Sequence, residues 1–260
     1  MFRISRRRLY SQNFLHNRAL VANLVRNSSI DKNDLVLEIG PGKGIITEKL
    51  LQSSGQVIAV EIDKFWYGYL FKKFGHLKNL NLFQADFLKF PLPKQEYKVL
   101  ANIPFAIEGK IIRKLLTAAN PPADCYLIIR KQLAYRLAGI IKENMFTLMY
   151  RPWFKFSIVH HFHSRNFKPV SNTKSVMFRF TKRLIPLLPW KQKLKYQEFI
   201  KTGFTNGRPV LKNLKTIYGI SVTIKAMSKF RIFKKSRPGH LTLMQWLNIY
   251  QELVNKNFTY

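Results

Sequence analysis

An α/β fold, with a parallel sheet between helices and a small helical domain after it, is predicted from three features of this sequence. Short apolar runs that end in glycine or an acid alternate with stretches of helical spacing. A glycine-rich turn joins the first of these runs directly to the helix that follows it. After Phe180 the runs stop, and prolines and basic residues take over. A chain of 260 residues can bury one sizeable core and carry a minor second domain.

From the N-terminus, Arg18 to Val25 has the spacing of an amphipathic helix, and LVLEIG (Leu35 to Gly40) is a short buried strand. Ile45 to Leu51 returns to helical spacing, and QVIAVEI (Gln56 to Ile62) is a second apolar strand that ends in an acid. LNLFQAD (Leu80 to Asp86), YKVLANI (Tyr97 to Ile103) and CYLIIR (Cys125 to Arg130) are further strands, with a helix over Lys110 to Ala118 among them. Such alternation argues for parallel strands with helices on both faces. KSVMFRF (Lys174 to Phe180) reads as a last strand, antiparallel at the far end. Beyond it, Pro186 and Pro189 break the chain, and sixteen basic residues face only two acids. The expected division is therefore a catalytic domain over 1–180 and a basic helical domain over 181–260.

The balance of 45 Lys and Arg against 13 Asp and Glu, a formal charge of +32, points to a polyanionic partner, nucleic acid ahead of an anionic membrane surface. No stretch approaches the roughly 18 uncharged apolar residues of a spanning helix. Arg6, Arg7 and Arg8 have no apolar run behind them, so they read as phosphate contacts rather than a leader. A single cysteine, Cys125, excludes an internal disulfide framework and a multi-cysteine zinc site, and it fits a reducing compartment. His160, His161 and His163 sit in an apolar run and read as a strand edge rather than a metal cluster. The aromatic run Phe65, Trp66, Tyr67, Tyr69 and Phe71 reads as helix packing, with Phe65 or Trp66 a candidate for a pocket wall. For the C-terminal lysines, a docking surface and a merely solvated helical face both remain open.

The chemistry concentrates at strand ends. In EIGPGKG (Glu38 to Gly44), glycines at 40, 42 and 44 let the backbone turn sharply and a ligand approach, while the helix behind them favours negative charge. Glu61, about 20 residues on, stands where an acid accepts both hydroxyls of a ribose, which suits a dinucleotide and a methionine-derived cofactor alike. Asp86 ends the third strand, where its carboxylate can accept from the amino group of an adenine ring. Asn102-Ile103-Pro104-Phe105 ends the fourth. Methylation of an exocyclic amine needs acceptors that draw its delocalised lone pair toward tetrahedral geometry, and Asn102 with a neighbouring carbonyl supplies them. Pro104 stiffens the turn and withholds an N–H, and Phe105 offers a ring for an extruded base.

In this order, YSQNF (10–14), EIGPGKG (38–44), VIAVEID (57–63), QADFL (84–88), ANIPF (101–105) and FKPVSNTKSV (167–176) resemble the Erm and dimethyladenosine transferase superfamily of rRNA adenine N6-methyltransferases. The resemblance covers most of the first 180 residues. It implies a Rossmann-like class I sheet that uses S-adenosylmethionine, a cytoplasmic monomer and a ribosomal RNA partner. It further implies that Asn13, Leu15, Gly40, Glu61, Asp86 and Asn102 contact the cofactor, with Gln12 beside them, and that Phe105 and Phe167 hold the target base. No metal is implied. Ser171 and Thr173 depart from the family's usual proline and valine, which bears on Phe167. Ile103, Lys43 and QWLNIYQELV near the C-terminus resemble the Erm branch, which modifies 23S rRNA and confers macrolide, lincosamide and streptogramin B resistance. The housekeeping small-subunit dimethyltransferase and a non-catalytic RNA-binding or transcription-factor module on the same fold are the alternatives.

Overall fold

The computed structural model describes residues 14–170 and 172–255. They form two compact units, one of 14–134 with 157–182 and the other of 135–156 with 183–255.

The first unit opens with a two-residue strand, β1 (Phe14–Leu15), and helix α1 (Arg18–Arg26), whose first turn is capped by Asn17 accepting from the Leu20 N–H at 3.0 Å. Strands β2 (Leu35–Ile39), β3 (Gln56–Glu61), β4 (Leu80–Gln84), β5 (Lys98–Asn102) and β6 (Asp124–Arg130) follow. Between them lie α2 (Ile45–Ser53), α3 (Lys64–Phe74) and α4 (Glu108–Thr117). Helix α5 (Lys131–Ala138) and the short α6 (Met145–Leu148) precede β7 (Phe154–His161), and β8 (Phe167–Lys168) and β9 (Ser175–Lys182) close the series. The seven-stranded sheet runs β4-β3-β2-β5-β6-β9-β7, while β1 pairs antiparallel with β8 in a separate ribbon. All pairings among β2 to β6 are parallel. The central residues of the inner strands, Val36, Leu37, Val99, Leu127 and Ile128 among them, are fully buried, as strands covered on both faces require.

The predicted last strand is antiparallel to β6, with Tyr126 opposite Arg179. An ion pair fixes this register. Arg179 donates from Nε and Nη2 to the buried Asp124 carboxylate, which also accepts from the Ser29 and Tyr126 hydroxyls. His160 and His161 close edge strand β7, and His163 follows it.

Because β2 continues through β3 and β4 on one side while β5 and β6 lie on the other, the order reverses between β2 and β5. In open α/β sheets the crevice beyond the carboxyl ends of the strands at such a reversal is where ligands bind.

The second unit differs from the expected domain in one respect. Its main boundary falls at Lys182/Arg183, but it also takes 135–156, which the sequence placed in the first domain. The reason is aromatic. Trp153 is wholly buried, with Trp190 and Tyr196 at centroid distances of 5.6 and 5.9 Å. These partners lie in and before α7 (Lys193–Gly203), which is followed by α8 (Val210–Tyr218), α9 (Ile220–Lys229) and α10 (Leu243–Tyr250). Trp246 of α10 fills the centre, stacked on Phe204 and packed so closely on Gly203 that a Cβ there would lie 2.3 Å from the indole. Thr242 and Gln245 form a capping box at the start of α10.

Candidate active site

The carboxyl edge of the parallel strands carries an open cleft with about 290 Å³ of empty space, walled by Leu15, Glu38, Gly40, Pro41, Lys43 and Asn102 among others. Gly40 follows β2 and Asn102 ends β5, so the cleft lies at the reversal of strand order. Gly40 has a φ of +64°, and a Cβ on it would meet no atom within 4 Å, so the backbone borders open space there. Gly42 is required for a different reason. Its φ is +55°, and a Cβ would come within 2.6 Å of the Phe14 ring, which lies edge-on to Trp66.

Glu61 is 3 % exposed and braces the glycine turn. One of its oxygens accepts the Gly42 N–H at 2.9 Å and the other the Asp63 N–H at 2.9 Å. Burial raises its carboxyl pKa, and these two N–H groups oppose the rise. Each oxygen keeps a lone pair for a further donor such as a ribose hydroxyl. Asp63 in turn caps α3 by accepting the Phe65 N–H. Asp86 lies two residues past β4, half-buried, its Oδ1 accepting the Leu88 N–H at 2.8 Å. The turn behind it is held by Lys114 of α4, whose ammonium donates to the carbonyls of Phe87, Leu88 and Phe90.

Glu38 is the site residue that the sequence reading passed over. It is 1 % exposed, walls the cleft, and has one carboxylate oxygen with no hydrogen-bond partner among the described residues. Burial pushes its carboxyl up to about 8. The signal in the sequence was an acid inside the otherwise apolar LVLEIG.

The expected residues therefore fall into three groups. Leu15, Gly40 and Asn102 wall one cleft, with Glu61 bonded to its glycine turn and Asp86 at the same edge of the sheet. Phe105, three residues beyond Asn102, is half-buried. Phe167 is 1 % exposed, with Phe162 at a centroid distance of 5.6 Å and Leu15 opposite it in the β1–β8 ribbon, and it belongs to the hydrophobic core of the unit. Gln12 and Asn13 lie outside the described residues.

The set fits S-adenosylmethionine. The open backbone at Gly40 admits a ligand, the carboxylates of Glu61 and Asp86 suit a nucleoside's hydroxyls and amino group, and the orphan oxygen of buried Glu38 suits a donor or cation. A doubly wound sheet with its acids and an Asn-Ile-Pro-Phe turn at the carboxyl edge defines a methyltransferase of the nucleoside-binding kind.

Known proteins give the particular family. The ribosomal RNA adenine dimethylase profile matches residues 3–255. An rRNA adenine N-6-methyltransferase of Bacillus anthracis is 29 % identical over 247 residues, covering 93 % of this chain and 85 % of that protein. The ribosomal RNA small subunit methyltransferase A of Borreliella burgdorferi is 31 % identical over 259 residues, covering 95 % and 88 %. The crystal structure of the 23S rRNA methyltransferase ErmE superposes with a TM-score of 0.85 at 25 % identity, covering 93 % of this chain and 99 % of that one. The chain belongs to the ribosomal RNA adenine dimethylase family and is an rRNA adenine methyltransferase, and family and fold together imply S-adenosylmethionine as methyl donor. No helix among the described residues is long and apolar enough to cross a membrane.

Proposed function

We propose that the protein methylates N6 of a specific adenine in the peptidyl-transferase loop of 23S rRNA and thereby confers macrolide, lincosamide and streptogramin B resistance. The observation that carries the choice of substrate is the likeness to ErmE, which extends over both units at a TM-score of 0.85. The 31 % identity to a small-subunit methyltransferase favours a second reading, dimethylation of 16S rRNA.

S-adenosylmethionine, when bound, supplies an electrophilic methyl group on a sulfonium. Glu61 accepts the ribose hydroxyls, Asp86 the adenine amino group, and Leu15, Asn13 and the Gly40 backbone complete the cofactor contacts. Asn102 Oδ1 and a carbonyl of Ile103 or Pro104 accept the two hydrogens of the target amine. They hold it in position and favour the charge that develops on nitrogen, an electrostatic effect of several kcal/mol in a water-poor site. Phe105 stacks on the extruded base, a contact worth roughly 1 to 3 kcal/mol. The product ammonium is acidic enough to lose its proton to solvent, so the turn needs no base and contains no histidine. The basic surface of the second unit holds RNA phosphates.

The test is incubation with methyl-labelled S-adenosylmethionine and, separately, protein-free 23S rRNA, protein-free 16S rRNA and immature small subunits, followed by primer extension. Label at a peptidyl-transferase-loop adenine supports the proposal. Label confined to the 3′ end of 16S rRNA in small subunits replaces it with the second reading.

A further inference from the structure

Arg130 is the last residue of β6, at the carboxyl edge that carries Asn102. Asn102 pairs in register with Ile128, and Arg130 lies two residues further along, on the same side of the sheet. Its side chain is unusually well held for an arginine at a sheet edge. Nε donates to Glu108 Oε1 at 2.6 Å, and the backbone N–H of Arg130 donates to the other oxygen of the same carboxylate at 3.1 Å. The Glu108 side chain is 2 % exposed, in the first turn of α4, whereas the Arg130 side chain is 50 % exposed. The guanidinium reaches toward the Phe105 carbonyl, with Nη2 at 3.5 Å, so it lies alongside the turn expected to hold the target base.

With Nε held by the Glu108 carboxylate and Nη2 near the Phe105 carbonyl, the outward N–H groups at the end of the guanidinium, one from each Nη, are left for another ligand. They present a planar, permanently charged pair of donors of the shape that binds a phosphate bidentately. Rotamer freedom that an ordinary surface arginine would lose on binding is already restricted here. Many lysines of this chain offer charge without such orientation.

We infer that Arg130, held by Glu108, is a substrate-binding residue that takes a backbone phosphate of the target adenosine or its immediate neighbour. The inference rests on Phe105 and Asn102 forming the target-base site. It assigns to the first unit a phosphate contact beside the chemistry, separate from the basic residues of the second unit. Glu108 is a positioning residue that acts through Arg130.

The experiment uses the full chain and protein-free 23S rRNA. It measures KM and kcat for methyl transfer, and the salt dependence of RNA binding by filter retention, for Arg130→Ala, Arg130→Lys, Arg130→Gln and Glu108→Gln. For Arg130→Ala the expected result is a KM for RNA raised roughly ten-fold, as for loss of one charge-assisted contact. Its kcat stays near native, and the slope of log affinity against log salt becomes shallower by about 0.7 to 0.9. Arg130→Lys regains the slope but only part of the KM. Glu108→Gln keeps the slope and raises KM. Arg130→Gln retains an N–H for Glu108 while removing the charge, so it reads the same contact should the alanine variant fail to fold. An unchanged slope with a lowered kcat and melting temperature would reduce the pair to a brace between α4 and β6 and overturn the inference. If the native chain labels no 23S rRNA, the substrate reading is at fault. If it labels RNA and the Arg130 variants match it in KM and slope, the inference alone fails.

Discussion

In the first unit five acids are almost wholly shielded from water: Glu38, Glu61, Asp63, Glu108 and Asp124. The second unit has no acid so buried among its described residues, and its Lys212, Lys215, Lys225, Arg231, Lys234 and Lys235 face solvent. With 13 acids against 45 bases in the chain, this distribution separates two kinds of work. Burying a carboxylate costs free energy unless donors meet it. Asp124 and Glu108 meet arginines and fix strand register and a turn, while Glu61 and Glu38 keep acceptor capacity at a cleft. The exposed bases cost little, and they act over distance on any polyanion. The buried acids of the first unit therefore set geometry, while the exposed bases of the second add attraction, and these two kinds of work can be tested at six positions.

The largest effect is expected at Asn102. Asn102→Ala removes an acceptor that matters at the moment of transfer, so label incorporation should fall on the order of 100-fold or more. The circular dichroism spectrum and melting temperature should remain near native, and near-native incorporation would remove Asn102 from the chemistry. The two phenylalanines come next. Phe167→Ala empties a core position and should cost about 3 to 5 kcal/mol in denaturant melts. Phe105→Ala should leave those melts almost unchanged and lower methyl transfer sharply, with Phe105→Leu retaining part of it. The reverse pattern would make Phe167 rather than Phe105 the main contact of the base.

A smaller effect is expected when Lys212 and Lys215 are both changed to alanine. RNA affinity should drop, with a salt slope shallower by about 1.4 to 1.8 if each holds a phosphate, at unchanged kcat. An unaltered slope would show that these lysines only solvate α8. The last effect is read against pH, in Glu38→Gln. The carboxyl, pushed up to about 8 in the folded chain from its ordinary value of 4.5, binds a proton over that window that the unfolded chain has released. Stability is therefore greatest below about 4.5 and declines as pH rises through 8. Glutamine has no such proton to lose. The melting temperature of the variant relative to native should climb between pH 5 and pH 8 and then level off, whereas a difference independent of pH would mean that Glu38 is charged and partnered throughout.

Much of the first unit was legible because its central strands are buried on both faces and so read as continuous apolar runs, and because the runs of β2 to β5 lead into glycine, an acid or asparagine. The reversal of strand order was not written in any single run; it follows from pairing between β2 and β5, which are about 60 residues apart along the chain. Phe167 lay in a recognisable motif, but motif position carries no information on burial, and its pairing with β1 in the core could not be read from it. Glu38 was hidden by its neighbours, since an acid between leucine and isoleucine looks like part of a strand until its burial is known. The 135–156 segment was misplaced because its affinity is for Trp190 and Tyr196, well downstream.

That misplaced segment also bears on how the chain can be cut and recombined. The polypeptide leaves the first unit after residue 134, returns at 157 and leaves again after 182. A fragment ending near residue 182 would contain every strand of the sheet yet strand Trp153 and Phe154 without the rings that cover them, and a fragment starting at 183 would lack the Trp153 indole on which Trp190 and Tyr196 pack. Neither half is a self-sufficient folding piece as the chain is written. Exchange of the second unit between relatives must therefore move two separate stretches of gene together.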